Sequence, residues 1–280
     1  MKIFNIDLYA YFNLDKPQTS TIEFTCYIHE DKLYNTRKYP AMLVLAGGGY
    51  EHCSSREKEP IALKYFAEGF NVFILNYSVA PNRYPVSFLE ASMAMAYIKK
   101  ESRNLDVIFD KVSAVGFSAG GHLCGLLATN FASPVLDVLG ENKKLVRPNL
   151  ALLIYPVVSY KQGTHQGSFD ALCGKDENLK NSLSIETLVT KESSPMFIVS
   201  TFEDKSVPCV NSLLLAKACF DNELPFALHI YEKGKHGMST GDSLAFTTKE
   251  PIPPHSKDFD GWIDLSINHL RERGFVLFDE

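Results

Sequence analysis

Apolar residues along this chain fall into short continuous runs that alternate with stretches of helical periodicity. Continuous runs predict buried strands at 39–46, 71–77, 150–155, 196–201 and 226–231, and from about Lys111 onward. Residues 21–28 alternate instead between apolar and polar, which predicts an exposed antiparallel edge strand. Helices are predicted at 60–68, 86–102, 122–129, 210–220 and about 258–273.

This repeated alternation of strand and helix predicts an α/β fold, with a mainly parallel central sheet and helices on both faces. The chain has 280 residues, of which 45% are hydrophobic, so we expect a single domain over residues 1–280. Residues 156–195 interrupt the alternation, because they are polar, rich in Gly and Ser, and only weakly periodic. They predict an inserted loop or a small cap over a functional site.

Charge and composition narrow the classes of partner. The net charge is −5 and no basic run or stripe occurs, so neither nucleic acid nor a membrane surface is expected to bind. No apolar stretch reaches the length of about 18 residues that a membrane span requires. The six cysteines form no CxxC pair, and the N-terminal residues lack an apolar signal region, which predicts a reduced, cytoplasmic protein.

The candidate chemistry begins at residues 116–120, which read Gly-Phe-Ser-Ala-Gly. A β-branched strand runs directly into this Gly-x-Ser-x-Gly pattern, and an apolar helix follows it. In that context the pattern predicts a strained strand-to-helix turn that exposes the hydroxyl of Ser118. Gly116 and Gly120 are expected where backbone and helix come too close for a Cβ. The pentapeptide by itself is a weak signal, so other parts of the chain have to support it.

A serine nucleophile needs a general base and a carboxylate that orients the base, in the chain order serine, acid, histidine. The loop after the strand at 196–201 offers Asp204, which follows Ser118 by 86 residues. The loop after the strand at 226–231 offers His236, a further 32 residues along. Glu203 competes with Asp204 for the acid role. The Asp-x-x-Val-Pro spacing favours Asp204 and leaves Glu203 as a solvated neighbour.

The same chemistry needs backbone amides that stabilise an oxyanion. Three glycines at 47–49 directly follow the strand predicted at 39–46, where a turn can present such amides. The amide of Ala119, the residue after the nucleophile, is the expected second donor. A plain tight turn is the alternative, whereas the glycine patterns that bind phosphates or dinucleotides are absent.

At this point the chain resembles the serine esterases of the α/β-hydrolase superfamily, and among them the bacterial esterases related to acetyl-xylan esterases. The resemblance covers nearly all of the chain. It is carried by residues 47–50, 55–57, 75–81, 116–122 and 164–168, and by the patterns Asp204-x-x-Val207-Pro208 and Gly234-x-His236-Gly237.

The resemblance implies Ser118 as nucleophile, Asp204 as acid and His236 as base. It also implies an oxyanion hole made by the amides of Gly48, Gly49 and Ala119. Many relatives carry His or Pro before the triple glycine, where this chain has Ala46, which puts the support of the oxyanion turn in question.

Other residues near these motifs have open roles. Tyr50 directly follows the oxyanion glycines, and it either walls the site against the substrate or packs in the core. His165 lies in the insertion, where substrate contact and loop bracing are equally compatible with the sequence. Arg56 and Glu57 are expected to pair and pin their loop. The histidines show no metal-ligand spacing, so neither a metal nor a cofactor is expected.

The function predicted from these features is a serine carboxylic-ester hydrolase. The resemblance implies removal of small acyl groups, acetyl above all, from a sugar or an oligosaccharide. The expected partner is therefore a small-molecule or oligosaccharide ester, and homo-oligomerisation stays open. One alternative is a serine peptidase, because Asp204-x-x-Val207-Pro208 also resembles prolyl-oligopeptidase catalytic domains. The other is a non-catalytic binding protein with a hydrolase fold.

Overall fold

The computed structural model describes residues 1–30, 37–246, 259 and 261–275. Within these residues eight strands form one sheet, in the order β1-β2-β4-β3-β5-β6-β7-β8. Strands β1 and β2 are antiparallel to their neighbours, and β3 to β8 run parallel. The strands are β1 Lys2–Asn5, β2 Glu23–Ile28, β3 Tyr39–Leu45, β4 Asn71–Asn76, β5 Val107–Phe117, β6 Leu150–Ile154, β7 Met196–Thr201 and β8 Phe226–Tyr231.

The described helices connect the strands and follow the last one. They are α1 Leu8–Phe12, α2 Glu59–Ala67, α3 Val86–Lys100, α4 Ala119–Thr129, α5 Gln166–Cys173, α6 Glu177–Ser182, α7 Val210–Asp221 and α8 Trp262–Glu272. Short 3₁₀ segments occur at Ser55–Glu57, Pro134–Leu145 and Ile185–Thr187.

The core lies on both faces of the sheet, because successive strand residues point to opposite sides. In β3, Leu43 and Leu45 contribute to the face covered by α1, α3, α4 and α7. Met42 and Val44 contribute to the opposite face, which α2 and α8 cover. A sheet that is buried on both faces requires the continuous apolar runs seen in the sequence. The predicted α/β class, with helices on both faces of a mainly parallel sheet, is confirmed.

The segment at 21–28 was expected to form the exposed edge of the sheet, and this prediction is wrong. Its strand, β2, is antiparallel as predicted, but it lies between β1 and β4. Strand β1 pairs with the outer edge of β2, and the side chains of Phe24 and Cys26 are buried in the core that α1 and α3 cover. Strand β1 has only four residues and ends at a polar Asn5, a pattern too short to be recognised as a strand.

Two further boundaries differ from expectation. The strand predicted from about Lys111 begins at Val107, because β5 pairs with β3 across an irregularity after Tyr39 that leaves Asp110 exposed. The last helix begins at Trp262 in the described residues, whereas Asp258, the predicted start, lies outside them. The other predicted strands and helices agree with the structure to within a few residues.

Residues 156–195 are not a structureless loop. They contain α5, α6 and a 3₁₀ turn at Ile185–Thr187. The side chain of Lys180, only 3% exposed, joins the two helices by ion pairs with Asp170 at 2.6 Å and Glu177 at 2.8 Å. The insertion therefore has an internal connection of its own.

Helix α4 follows the Ser118 turn, and all of its residues are buried in the core. In the described part of the chain no single helix is long and apolar enough to cross a membrane. Only α4 taken together with Pro134–Leu145 meets the length and composition criteria, and these two segments are bent by 68°.

A methyl group at Gly120 is expected to destabilise the fold strongly, because α4 lies against β3 at this position. A Cβ there would lie 2.2 Å from the carbonyl oxygen of Leu45 and 2.4 Å from that of Ala46. We expect Gly120→Ala to lower the free energy of unfolding by about 4 kcal/mol, because the backbones of α4 and β3 would have to separate. Urea denaturation measures this change.

Gly167→Ala is the matched control for this substitution. The nearest described atom to a Cβ on Gly167 is 3.7 Å away, and the residue is helical, so alanine should be tolerated there. Equal unfolding midpoints for Gly120→Ala and Gly167→Ala would contradict the close approach of α4 to β3.

Candidate active site

The Ser118 turn joins β5 to α4 in a single residue. Ser118 has φ 52° and ψ −115°, a strained conformation for a residue with a side chain. Its amide donates to the carbonyl of Ile154 at 3.0 Å, and its carbonyl accepts from the amide of Val157 at 3.1 Å. A Cβ on Gly116 would lie 2.1 Å from the carbonyl oxygen of Gly120, which explains the two glycines of the motif.

The structure brings His236 and Asp204 to this turn. His236 Nε2 lies 2.8 Å from Ser118 Oγ, and His236 Nδ1 lies 2.6 Å from Asp204 Oδ2. The Asp204 side chain is fully buried, and its Oδ1 accepts from the amides of Ser206 and Val207, each at 2.9 Å. Asp204 Oδ2 thus accepts the Nδ1 proton of His236. Nε2 of the neutral imidazole is then free to accept the Ser118 hydroxyl proton.

Glu203, the competing carboxylate, is a solvated neighbour of Asp204 as predicted, because 41% of its side chain is exposed. It also accepts from the amide of Gly234 at 3.3 Å and forms an ion pair with Lys233 at 3.1 Å. It therefore links the loop that carries Asp204 to the loop that carries His236. The sequence showed the acidic pair and could not show which strand-end loop Glu203 would contact.

The triple-glycine turn approaches the nucleophile at Gly47. A Cβ on Gly47 would be 3.0 Å from Ser118 Cβ, and Gly48 and Gly49 have φ of 129° and 66°. The turn is closed by a bond from the amide of Glu51 to the carbonyl of Gly48 at 3.0 Å. Ala119 is the first residue of α4, so its amide has no acceptor within the helix. The positive end of the α4 dipole therefore lies at the Ser118 turn.

Glu57 supports the oxyanion turn, whose support the residue Ala46 had put in question. Its Oε2 accepts from the amide of Gly47 at 2.7 Å, and its Oε1 accepts from the hydroxyl of Tyr155 at 2.6 Å. Ala46 itself is held by its carbonyl, which accepts from the Tyr77 hydroxyl at 2.7 Å. Glu57 thus holds its loop through Gly47 and Tyr155, and its expected pairing with Arg56 stays a prediction.

Comparison with known proteins places this geometry in a family. The BD-FAE family model matches residues 28–219, which is more than half of the chain. The chain belongs to the BD-FAE family. An acetyl ester-xyloside bifunctional hydrolase from Caldicellulosiruptor lactoaceticus is similar in structure, with a TM-score of 0.80 and 32% identity, and the match covers 91% of this chain and 89% of that one. The expected α/β-hydrolase fold and its resemblance to sugar esterases are confirmed.

Two curated proteins are similar to this BD-FAE chain over part of their length. Endo-1,4-beta-xylanase B of Butyrivibrio fibrisolvens is 34% identical over 234 residues, and the acetylxylan esterase of Xylanibacter ruminicola is 25% identical over 238 residues. The matches cover 79% and 82% of this chain, but 35% and 46% of the two relatives. The BD-FAE chain thus spans less than half the length of these curated relatives.

Tyr50 lies in the core of this BD-FAE protein, with an exposed fraction of 2%. Its hydroxyl lies 2.8 Å from His122 Nδ1, and His122 Nε2 lies 2.8 Å from the carbonyl of Leu183. Since a carbonyl only accepts, Nε2 carries the proton and the Tyr50 hydroxyl donates to Nδ1. This arrangement favours the packing role of Tyr50 over the substrate contact. It joins the oxyanion turn, α4 and the insertion.

The His122 contact predicts a pH dependence of stability. Burial lowers the pKa of His122 from 6.5 to about 4. In that interval the unfolded chain binds a proton that the folded chain does not. The free energy of unfolding should therefore fall as pH decreases from 6.5 towards 4, by on the order of 3 kcal/mol. Chemical denaturation across this interval measures the change.

His122→Gln is the control for that titration. Glutamine keeps one acceptor for Tyr50 and one donor for Leu183 but has no proton to gain, so its unfolding free energy should vary less with pH. Parallel pH profiles for the two proteins would show that His122 does not carry the effect.

His165 lies at the N-terminus of α5 and performs the bracing role that the sequence left open. Its Nδ1 lies 2.8 Å from Ser168 Oγ and accepts from the Ser168 amide, which caps the helix. Burial lowers the pKa of His165, and the charge of His236 lowers it further, so the two rings lie within electrostatic range. His165 is partly exposed, and a contact with substrate remains a prediction.

The chemistry that these groups can perform is proton transfer and nucleophilic attack. A hydroxyl, an imidazole and a buried carboxylate are connected in series, and backbone amides lie beside the hydroxyl. Across the described ranges, no three His, Cys, Asp or Glu side chains are grouped as ligands for a metal ion.

Proposed function

We propose that this chain is a serine carboxylic-ester hydrolase that acts through Ser118, His236 and Asp204. The observation that carries the proposal is the series of contacts from Ser118 Oγ to His236 at 2.8 Å and from His236 to Asp204 at 2.6 Å. The series starts at a strained residue between a strand and a helix, which is the geometry of a serine nucleophile. The same activity is supported by two similar proteins, one named an acetylxylan esterase and the other an acetyl ester-xyloside bifunctional hydrolase.

In the proposed reaction, Ser118 Oγ attacks the ester carbonyl while its proton passes to His236 Nε2. The carbonyl oxygen takes the negative charge and is stabilised by the amides of Gly48, Gly49 and Ala119. His236 then gives the proton to the leaving alcohol, and the acyl group remains on Ser118 as an ester. Water repeats these steps, which releases the carboxylic acid and restores the Ser118 hydroxyl.

We further propose that the acyl group is short, with acetyl preferred, and that the alcohol is a sugar or oligosaccharide. The acetylxylan esterase and the acetyl ester-xyloside hydrolase that this chain resembles support this substrate class. The protein is tightly packed behind Ser118, where the backbone amides of His122 and Val157 both donate to the Ser118 carbonyl.

The test compares p-nitrophenyl acetate, butyrate and hexanoate as substrates. We expect kcat/KM to fall as the acyl chain lengthens. A wild-type preference for hexanoate would contradict the short-acyl proposal.

A fluorophosphonate and an aminoacyl p-nitroanilide separate the alternatives. We expect the fluorophosphonate to add one covalent group at Ser118, seen by peptide mass spectrometry, and the amide to be a much poorer substrate than the acetyl ester. Faster hydrolysis of the amide would favour a peptidase. An unchanged protein mass after long exposure would favour a non-catalytic protein.

A further inference from the structure

Glu57 is a buried carboxylate that touches two separate parts of the site. It is 3% exposed, and its two oxygens accept from two different donors. One donor is the amide of Gly47, directly before the oxyanion glycines, and the other is the hydroxyl of Tyr155. A Cβ on Gly47 would lie 2.8 Å from Glu57 Oε2, so the carboxylate is packed directly against the turn.

Tyr155 continues this connection to the histidine. The centre of its ring lies 5.1 Å from the centre of the His236 imidazole, and the two rings are inclined by 68°, so Tyr155 packs edge-on against the base. Its hydroxyl oxygen accepts from the amide of Ser239 at 3.0 Å, three residues after His236. Ser239 is fixed in turn, because its carbonyl accepts from Trp262 Nε1 at 2.8 Å.

We propose that Glu57 is a positioning residue that fixes the oxyanion turn and His236 relative to each other. The inference rests on the proposed function. The two oxygens of the Glu57 carboxylate bind two loops that are far apart in sequence, since Gly47 follows β3 and Tyr155 follows β6. Because Tyr155 packs against His236, the Glu57 carboxylate fixes the distance between the oxyanion turn and the base.

The energetics support a positional rather than a stabilising role. A buried carboxylate loses hydration, and such a group contributes little net stability compared with an apolar replacement. Burial raises the pKa of Glu57, while the bonds from Tyr155 and Gly47 and the charge of His236 oppose that rise. The bonds thus favour the ionised form, in which both oxygens accept.

The expected effects concern the rate more than substrate affinity. Glu57→Gln presents a donor where an acceptor is needed, and Tyr155→Phe removes the hydroxyl between Glu57 and Ser239. Each should lower kcat by about 10- to 100-fold with little change in KM, because small displacements of reacting groups have effects of this size. The double variant should be no worse than about the poorer single variant, because the two residues act as one unit.

Inhibition by a boronic acid separates a positioning role from a purely structural one, because a loss of stability alone would leave the inhibition constant unchanged. Phenylboronic acid forms a tetrahedral adduct with a serine nucleophile, and the adduct depends on the oxyanion donors and the base in the way a transition state does. Its inhibition constant should rise in Glu57→Gln and Tyr155→Phe by about the factor by which kcat/KM falls. Thermal unfolding is measured in parallel.

Tyr65→Phe is the matched control. Tyr65 is also fully buried, lies on the same side of the sheet as Tyr155, and bonds through its hydroxyl to Ser266 at 2.8 Å. This variant should lose stability while kcat and the inhibition constant stay at the wild-type values. The proposal is overturned if Glu57→Gln and Tyr155→Phe behave in the same way, or if their effects on kcat add in the double variant.

Failure of the proposed function looks different. A wild-type protein that neither hydrolyses acetyl esters nor reacts with a fluorophosphonate at Ser118 would overturn both proposals. An active wild type with variants of unchanged kcat overturns the role of Glu57 alone.

Discussion

Replacing Ser118 with alanine is expected to lower kcat for p-nitrophenyl acetate by about a million-fold, the size of the loss when the serine protease subtilisin loses its nucleophile. Alanine removes the Oγ that lies 2.8 Å from His236, so no acyl-enzyme can form. The rate that remains comes only from substrate binding and the oxyanion donors. Steady-state kinetics and a test for fluorophosphonate labelling measure the loss.

Ser113→Ala is the control for this substitution. Ser113 lies earlier in the same strand and is fully buried, and its hydroxyl has no hydrogen-bond partner among the described residues. Removing it leaves no partner unsatisfied, so the activity and the unfolding midpoint should stay close to those of the wild type. A Ser118→Ala protein that folds and retains more than about a tenth of the wild-type rate would contradict the nucleophile assignment.

Asp204→Asn is expected to lower kcat by about 10⁴-fold with the fold unchanged. The side chain would keep its size, and its oxygen could still accept from the amides of Ser206 and Val207. The amide nitrogen would then face His236 Nδ1 as a donor. That contact favours the tautomer protonated on Nε2, which cannot take the proton of Ser118. Kinetics with p-nitrophenyl acetate, together with circular dichroism, test this expectation.

Glu203→Gln supplies the comparison at the neighbouring carboxylate. Glu203 bonds to the Gly234 amide and to Lys233, so its loss should loosen the histidine loop and lower kcat less than about tenfold. The reverse order, with Glu203→Gln the more damaging change, would assign the orienting role to Glu203.

The sheet and the order of the candidate catalytic residues could be predicted because both depend on local sequence. Continuous apolar runs such as 150–155 and 196–201 are required of strands buried on both faces, and the motif glycines are required by close backbone contacts. Strand β1 was missed because four residues with polar ends carry little periodic signal. It pairs with β2 only through long-range contacts.

The supports of the site could not be predicted for a related reason. Glu57 and Tyr155 are 98 residues apart, and His122 and Tyr50 are 72 residues apart. No periodicity or spacing rule connects such pairs, since their contact follows from the assembled sheet. The sequence indicated that Glu57 would hold its loop, but the partners became visible only when β3 and β6 were placed around β5.

The Lys180 connection has a consequence for engineering the chain. Proton transfer depends on loops after β5, β7 and β8, whereas α5 and α6 belong to the connection after β6 and carry their own ion pairs. The α5–α6 segment is therefore a natural unit for exchange between homologues or for a focused library. Donor segments should keep a backbone carbonyl at the position of Leu183, so that His122 retains its acceptor. Such chimeras would change the residues around His165 while keeping the contacts among Ser118, His236 and Asp204.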